Sequence, residues 1–143
     1  MRVEPVRELT PEIEDALARL LPQLNATLTV PDRKRVERIL ADSAVTLLVA
    51  REGDHIVGTA TVIVYTTPFW IKARLDEVVV DQAARGKGVG EALVNACLAV
   101  GRERGAQVAE LQSGRGPARV VANRLYRRMG FELRDSNLYR INL

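Results

Sequence analysis

Apolar residues recur at helical spacing in the first third of the chain and at strand spacing in its middle, and this change of period predicts the elements. Ile13, Leu17, Leu20 and Leu21 make one apolar stripe. Thr10-Pro11-Glu12 before it supplies a capping hydroxyl, a proline suited to the first turn and an acid near the positive helix end. Residues 22–31 read as a polar connector, and Pro31-Asp32 opens a second helix with Val36, Ile39 and Leu40 on its buried face. Segments 45–50 and 55–65 flank the turn Glu52-Gly53-Asp54 and predict an antiparallel hairpin. Residues 2–6 predict an edge strand, because Pro5 is tolerated only where its missing N–H faces no partner.

The pattern breaks over 68–72 and resumes as a strand over 75–81. A helix follows over 88–104, with Leu93, Ala96, Cys97 and Val100 on one face and Gly105 as its C-terminal cap. Residues 108–112 predict a strand, 119–129 a helix closed by Gly130, and 131–134 with 138–141 two last short strands. Hairpins at both ends around one strand–helix–strand crossover predict an α/β (α+β) chain. Its mixed sheet is antiparallel at the flanks and parallel at the centre.

A length of 143 residues fits one domain, 1–143, and only 4% of them are aromatic, so Leu, Val, Ile and Ala must build the core. The single cysteine, Cys97, cannot form an internal disulfide, which favours a reducing compartment. The charged start (Arg2, Glu4, Arg7, Glu8) does not read as a signal peptide, and no apolar run is long enough to span a bilayer. The expectation is a soluble cytoplasmic protein without a membrane partner. A net charge of +3 is too small to argue for nucleic acid. Between Arg102 and Arg128, however, seven arginines face two acids, a local surface that attracts phosphates. The aromatic interleaving of a single-strand binder is missing, so no nucleic-acid partner is expected.

The most informative stretch is Asp81-Gln82-Ala83-Ala84-Arg85-Gly86-Lys87-Gly88-Val89-Gly90-Glu91-Ala92. It joins a strand to a helix. Its glycines let the backbone approach a bound group, the opening N–H groups of the helix lack internal partners, and Arg85 and Lys87 add positive charge. Together these make a seat for a pyrophosphate; a tight packing turn is the plainer alternative. The spacing fits neither a P-loop nor a dinucleotide fingerprint, since Gly86, Gly88 and Gly90 lie two and two apart.

Val78-Val79-Val80 followed by Arg85-Gly86-Lys87-Gly88-Val89-Gly90 resembles motif A of the GNAT superfamily of N-acetyltransferases, Arg/Gln-x-x-Gly-x-Gly/Ala. Ala122-Asn123-Arg124-Leu125-Tyr126-Arg127-Arg128-Met129-Gly130-Phe131 resembles motif B. The resemblance covers essentially the whole chain. It implies helices on both faces of the sheet and a parallel pair of strands that splay apart. It also implies acetyl-CoA as acyl donor and transfer to a primary amine of a small molecule or peptide by direct attack. Cofactor contacts would come from main-chain groups of Val78, Val79 and Val80 and from Arg85, Gly86, Lys87, Gly88, Val89, Gly90 and Glu91.

Tyr126 matches the tyrosine that protonates the departing thiolate, with a satisfied core tyrosine as the alternative. Asp76 and Glu77 are the candidate bases for deprotonating the attacking ammonium. Leu75-Asp76-Glu77-Val78 is similar to a segment of the glucosamine-6-phosphate N-acetyltransferases. Adjacent strand residues face opposite sides, so one of the two acids points into the cleft, and Glu77 is preferred. Many members carry an asparagine where this chain has Arg119, and its contact does not transfer; Asn123 is a nearby substitute.

His55 beside the hairpin turn and Cys97 on the apolar helix face carry no expected chemistry, and no residue cluster has metal-ligand spacing. The acceptor wall would come from residues 21–31, 66–71 and 136–139. Phe69, Trp70 and Tyr139 there suggest an apolar pocket or, for the first two, a homodimer face. A non-catalytic coenzyme A-binding or sensor module is the alternative function.

Overall fold

The computed structural model describes all of residues 1–143, which divide into two compact units, Met1–Gln112 and Ser113–Leu143. The larger unit holds strands β1 (Arg2–Pro5), β2 (Val45–Glu52), β3 (His55–Thr66), β4 (Ile71–Val80) and β5 (Val108–Leu111). Its helices are α1 (Pro11–Leu24), α2 (Arg33–Ala41) and α3 (Val89–Glu103). The sheet has the order β1-β2-β3-β4-β5. All neighbours are antiparallel except β4 and β5, which are parallel and joined through α3.

Local chemistry fixes the helix ends. Thr10 Oγ1 accepts from the Ile13 N–H at 3.3 Å and Asp32 Oδ1 from the Arg35 N–H at 2.8 Å, each satisfying an orphan donor of a first turn. Contrary to expectation, α1 does not stop at Pro22 but runs on to Leu24. A proline in the last turn forfeits one bond, and the buried stripe Ile13, Ala16, Leu17 and Leu20 already holds the helix to the sheet.

Side-chain alternation then sorts the core into two layers. Leu47, Val49, Ile56 and Val79 join the α1–α2 side with Leu17, Leu20 and Val36. Gly58 turns its face to α3: a Cβ there would lie 2.9 Å from Leu93 Cδ1 and 3.2 Å from Val89 Cγ1. At the other end of α3, a Cβ on Gly101 would lie 2.9 Å from Ala73 Cβ. These two glycines set the close approach of α3 to the sheet.

The smaller unit holds α4 (Val120–Arg128), preceded by a single 3₁₀ turn at Pro117–Arg119. None of its residues is buried. The two strands expected over 131–134 and 138–141 do not form. Leu133, Leu138, Tyr139 and Ile141 are all exposed, and an alternating run becomes a strand only where a ladder satisfies its N–H and C=O groups. The parallel pair β4–β5 consequently closes one edge of the five-stranded sheet. No helix is long and apolar enough to cross a membrane.

Candidate functional site

β4 begins four residues earlier than its sequence pattern suggests, because the Thr67 hydroxyl accepts from the Trp70 N–H at 3.1 Å and closes a tight turn. From Lys72 to Leu75 the strand is paired on both sides, with β3 and with β5. Pairing with β5 ends at Leu75↔Leu111. Beyond it, residues 76–80 have β3 on one side only, so the other edge of the strand carries main-chain groups without a ladder.

The same half-strand contains a bulge. Thr59 pairs with Val79 and Thr61 with Asp76, so Glu77 and Val78 together stand opposite Ala60. Glu77 has φ +51°, the one non-glycine residue with positive φ. For a side chain with a Cβ this costs on the order of 1 kcal/mol or more and persists only where surrounding structure enforces it. The bulge also flips strand parity: Ala73 faces Gly101 of α3, whereas Val79 faces the α1–α2 core. Regular alternation therefore breaks between Glu77 and Val78, the two residues opposite Ala60, and not between Asp76 and Glu77.

The two acids sit in different surroundings. Asp76 is half-buried and lies 3.5 Å from Arg74 Nη2, which is itself 2.5 Å from Gln112 Oε1. Glu77 reaches the surface, yet its carboxyl is shielded enough that burial raises its pKa, and the neighbouring Asp76 charge adds to the rise.

β4 leads into a 3₁₀ turn, Gln82–Ala84, and then the glycine loop. Buried Ala84 and Val89 pin its two ends. Gly86 has φ +77° and Gly88 φ +82°, and a Cβ at either would meet nothing within 4 Å. The glycines are thus demanded by backbone angle, and the space beside them is open. Gly88 is the N-cap of α3 and offers no side chain to its first N–H groups; Gly90 lies inside the helix. Arg85 and Lys87 are exposed, Arg85 Nε 3.4 Å from the Val80 carbonyl and Lys87 Nζ 3.9 Å from Glu52. Glu91 stands in the first turn of α3, where a negative charge is favoured.

The smaller unit carries the other predicted site residues. Tyr126 is partly buried and packs edge-on against Phe131, ring centroids 5.9 Å apart. Asn123 Nδ2 donates to the Gly114 carbonyl at 2.9 Å and so braces the turn before α4. Of the apolar residues assigned to an acceptor wall, Phe69, Trp70 and Tyr139 are all exposed. His55 is exposed and Cys97 fully buried, its thiol pushed up to about 12 by burial. No group of three or more His, Cys, Asp or Glu side chains is arranged to hold a metal ion. Sequence reasoning missed Gly58 and the bulge at Glu77. Gly58 carries the usual signal of a glycine inside a strand, a close backbone approach; a bulge built on glutamate carries none.

A family model described as an acetyltransferase (GNAT) domain matches residues 43–133. The sequence finds no match among curated proteins. Among solved structures, the chain is similar to a putative acetyltransferase from Agrobacterium tumefaciens, at 21% identity over 100% of both chains and a TM-score of 0.83. It is also similar to an aminoglycoside acetyltransferase from an uncultured soil metagenomic sample, at 20% identity, 99% of this chain, 96% of the other and a TM-score of 0.84. A third is glucosamine-6-phosphate N-acetyltransferase from Arabidopsis thaliana, at 19% identity, 99% of each chain and a TM-score of 0.80. These likenesses establish the fold. The family match spans the bulged strand, the glycine loop and α4 together, and by it the chain belongs to the GNAT acetyltransferases.

Proposed function

We propose that residues 1–143 act as a single domain that transfers the acetyl group of acetyl-CoA to the primary amine of a small molecule or peptide. The observation that carries this reading is the second half of β4. A strand edge without a ladder, a bulge and a glycine loop follow one another and end at a helix start without a side-chain cap.

The fit to the cofactor can be tested residue by residue. Main-chain groups of Val78, Val79 and Val80 suit the amides of a pantetheine arm, which would add to the open edge as a strand does. The open space at Gly86 and Gly88 admits a pyrophosphate to the N–H groups that begin α3. Arg85 and Lys87 offer exposed positive charge beside it, and Asn123 is retained as a contact through its side-chain oxygen.

When bound, the coenzyme supplies a thioester whose carbonyl carbon is open to attack. Glu77 takes the proton of the attacking ammonium, directly or through a water, and its raised pKa makes it the better base of the pair. Asp76, already beside Arg74, keeps Glu77 raised by its charge. Tyr126 gives a proton to the departing sulfur. The similar structures act on aminoglycosides and on glucosamine-6-phosphate by their names, so aminosugar amines are the first acceptors to try here.

The test is a thermal-shift and calorimetric comparison of acetyl-CoA with AMP and NAD, followed by thiol release against aminosugars, polyamines, amino acids and lysine peptides. Acetyl-CoA stabilises the fold and the controls do not. A larger response to NAD, or none to acetyl-CoA, overturns the reading; binding without turnover on any acceptor leaves a coenzyme A sensor. Tyr126→Phe, assayed with the best acceptor, lowers kcat about 100-fold with little change in cofactor affinity.

A further inference from the structure

Helix α1 reaches the loop with two side chains. Arg19 and Gln23 lie one turn apart on the same face, and Gln23 Nε2 donates to the Arg19 carbonyl at 3.2 Å. Arg19 Nη1 is paired with Asp81 Oδ2, and its Nη2 donates to the Ile56 carbonyl at 2.6 Å. Gln23 Oε1 accepts from the Gln82 N–H at 2.8 Å. One turn of α1 thus grips the two residues that begin the loop, some 60 positions along the chain.

Asp81 is the hinge of this arrangement. Its N–H donates to the Val57 carbonyl at 2.8 Å, the last main-chain bond holding that end of the strand. Its Oδ1 accepts from the Ala83 N–H at 3.2 Å, capping the 3₁₀ turn that opens the loop. Its side chain is only 14% exposed, and it is the sole acid from position 81 to 90. Without the guanidinium, a poorly hydrated negative charge would stand at the entry of a segment built to receive phosphates, where the two would repel.

We infer that Arg19 is a positioning residue for the anion loop: it neutralises Asp81 and fixes that carboxylate as the cap of the loop's first turn, while Gln23 holds the next amide. The inference rests on the cofactor reading above and adds a residue outside both family motifs.

Calorimetry with coenzyme A on the intact chain tests it. Arg19→Met raises Kd about tenfold, the scale of one charged hydrogen bond. Asp81→Asn keeps an acceptor oxygen and removes the charge, so Arg19→Met combined with Asp81→Asn recovers most of the lost affinity. A merely structural bridge would show no such recovery, because the double variant lacks the ion pair as surely as the single one. Arg33→Met, which removes a pairing with Glu14 on the same helix, leaves Kd within twofold.

If wild type gives no binding heat, the cofactor reading itself is lost. If wild type binds and Arg19→Met binds within twofold of it, or if the double variant recovers nothing, the role of Arg19 is overturned and the cofactor reading stands. Should Arg19→Met not fold, Gln23→Leu decides: it raises Kd about threefold, the loss of a neutral hydrogen bond, and speeds amide exchange at Gln82. No change in either overturns the inference.

Discussion

The two halves of β4 are one strand with two fates. Residues 72–75 sit between β3 and β5 in regular register. Residues 76–80 are bulged, paired on one side and strained at Glu77. The first half is scaffold: Ala73 and Leu75 are buried, and Lys72 pairs with Glu110 across to β5 at 2.6 Å. The second half withholds hydrogen-bonding groups from the sheet, leaving them for something else to satisfy. A fold can offer main-chain chemistry only where it forgoes part of its own ladder, and the bulge marks that place.

The comparison breaks most visibly just past the second half. Gly88→Val forces a β-branched residue into φ +82°, so the chain must either bear the strain or rebuild the loop. Coenzyme A binding falls by more than about 100-fold, as expected when two or three charge-assisted contacts are displaced, while circular dichroism still shows a folded chain. Unchanged affinity would make the loop a packing device only.

Glu77→Gln comes next. It lowers kcat about 100-fold, the low end of general-base effects, and removes the acidic limb of the pH–rate profile, which Asp76→Asn leaves in place. Because the folded pKa of Glu77 is raised, the native state holds this proton more tightly than the unfolded chain. Stability therefore declines as pH rises from the ordinary carboxylate value through the raised one, and the glutamine variant loses that slope. Glu77→Gly sharpens the point. It relieves the positive φ and is more stable by roughly 1 kcal/mol, yet turns over no better than the glutamine form. If it were as active as wild type, Glu77 would not be the base.

The smallest functional effect belongs to the first half. Gly101→Ala drives a methyl group to 2.9 Å from Ala73 Cβ. Overpacking costs about 1–3 kcal/mol, partly offset by the better helix propensity of alanine. Chemical denaturation shows the loss, and kcat stays within twofold. A drop in kcat as large as that of Glu77→Gln would erase the distinction between the halves.

Much of this was legible in the chain because its signals are local. Thr10-Pro11 and Asp32 mark helix starts that the caps confirm, and Gly105, at φ +81°, stands just past the end of α3 as a cap glycine should. The loop Arg85–Gly90 is legible for the same reason, since Gly86 and Gly88 answer a backbone angle. What stayed hidden depends on partners far away. The bulge at Glu77 is set by register against Ala60, and no glycine or asparagine advertises it. The pairing of Arg19 with Asp81 joins residues with no shared motif. Residues 131–134 and 138–141 show the converse, strand-like composition without a ladder.

Cys97 has a practical consequence. It is the only sulfhydryl in the chain, fully shielded from solvent and protonated at any ordinary assay pH because burial pushes it up to about 12. A disulfide reagent added to the native protein should therefore register almost nothing from the protein itself. Sulfur liberated from a thioester is read against a flat baseline, without masking the cysteine or replacing it. Under denaturant the same reagent changes meaning: it counts one equivalent per chain as the interior opens, and so becomes a clock for unfolding.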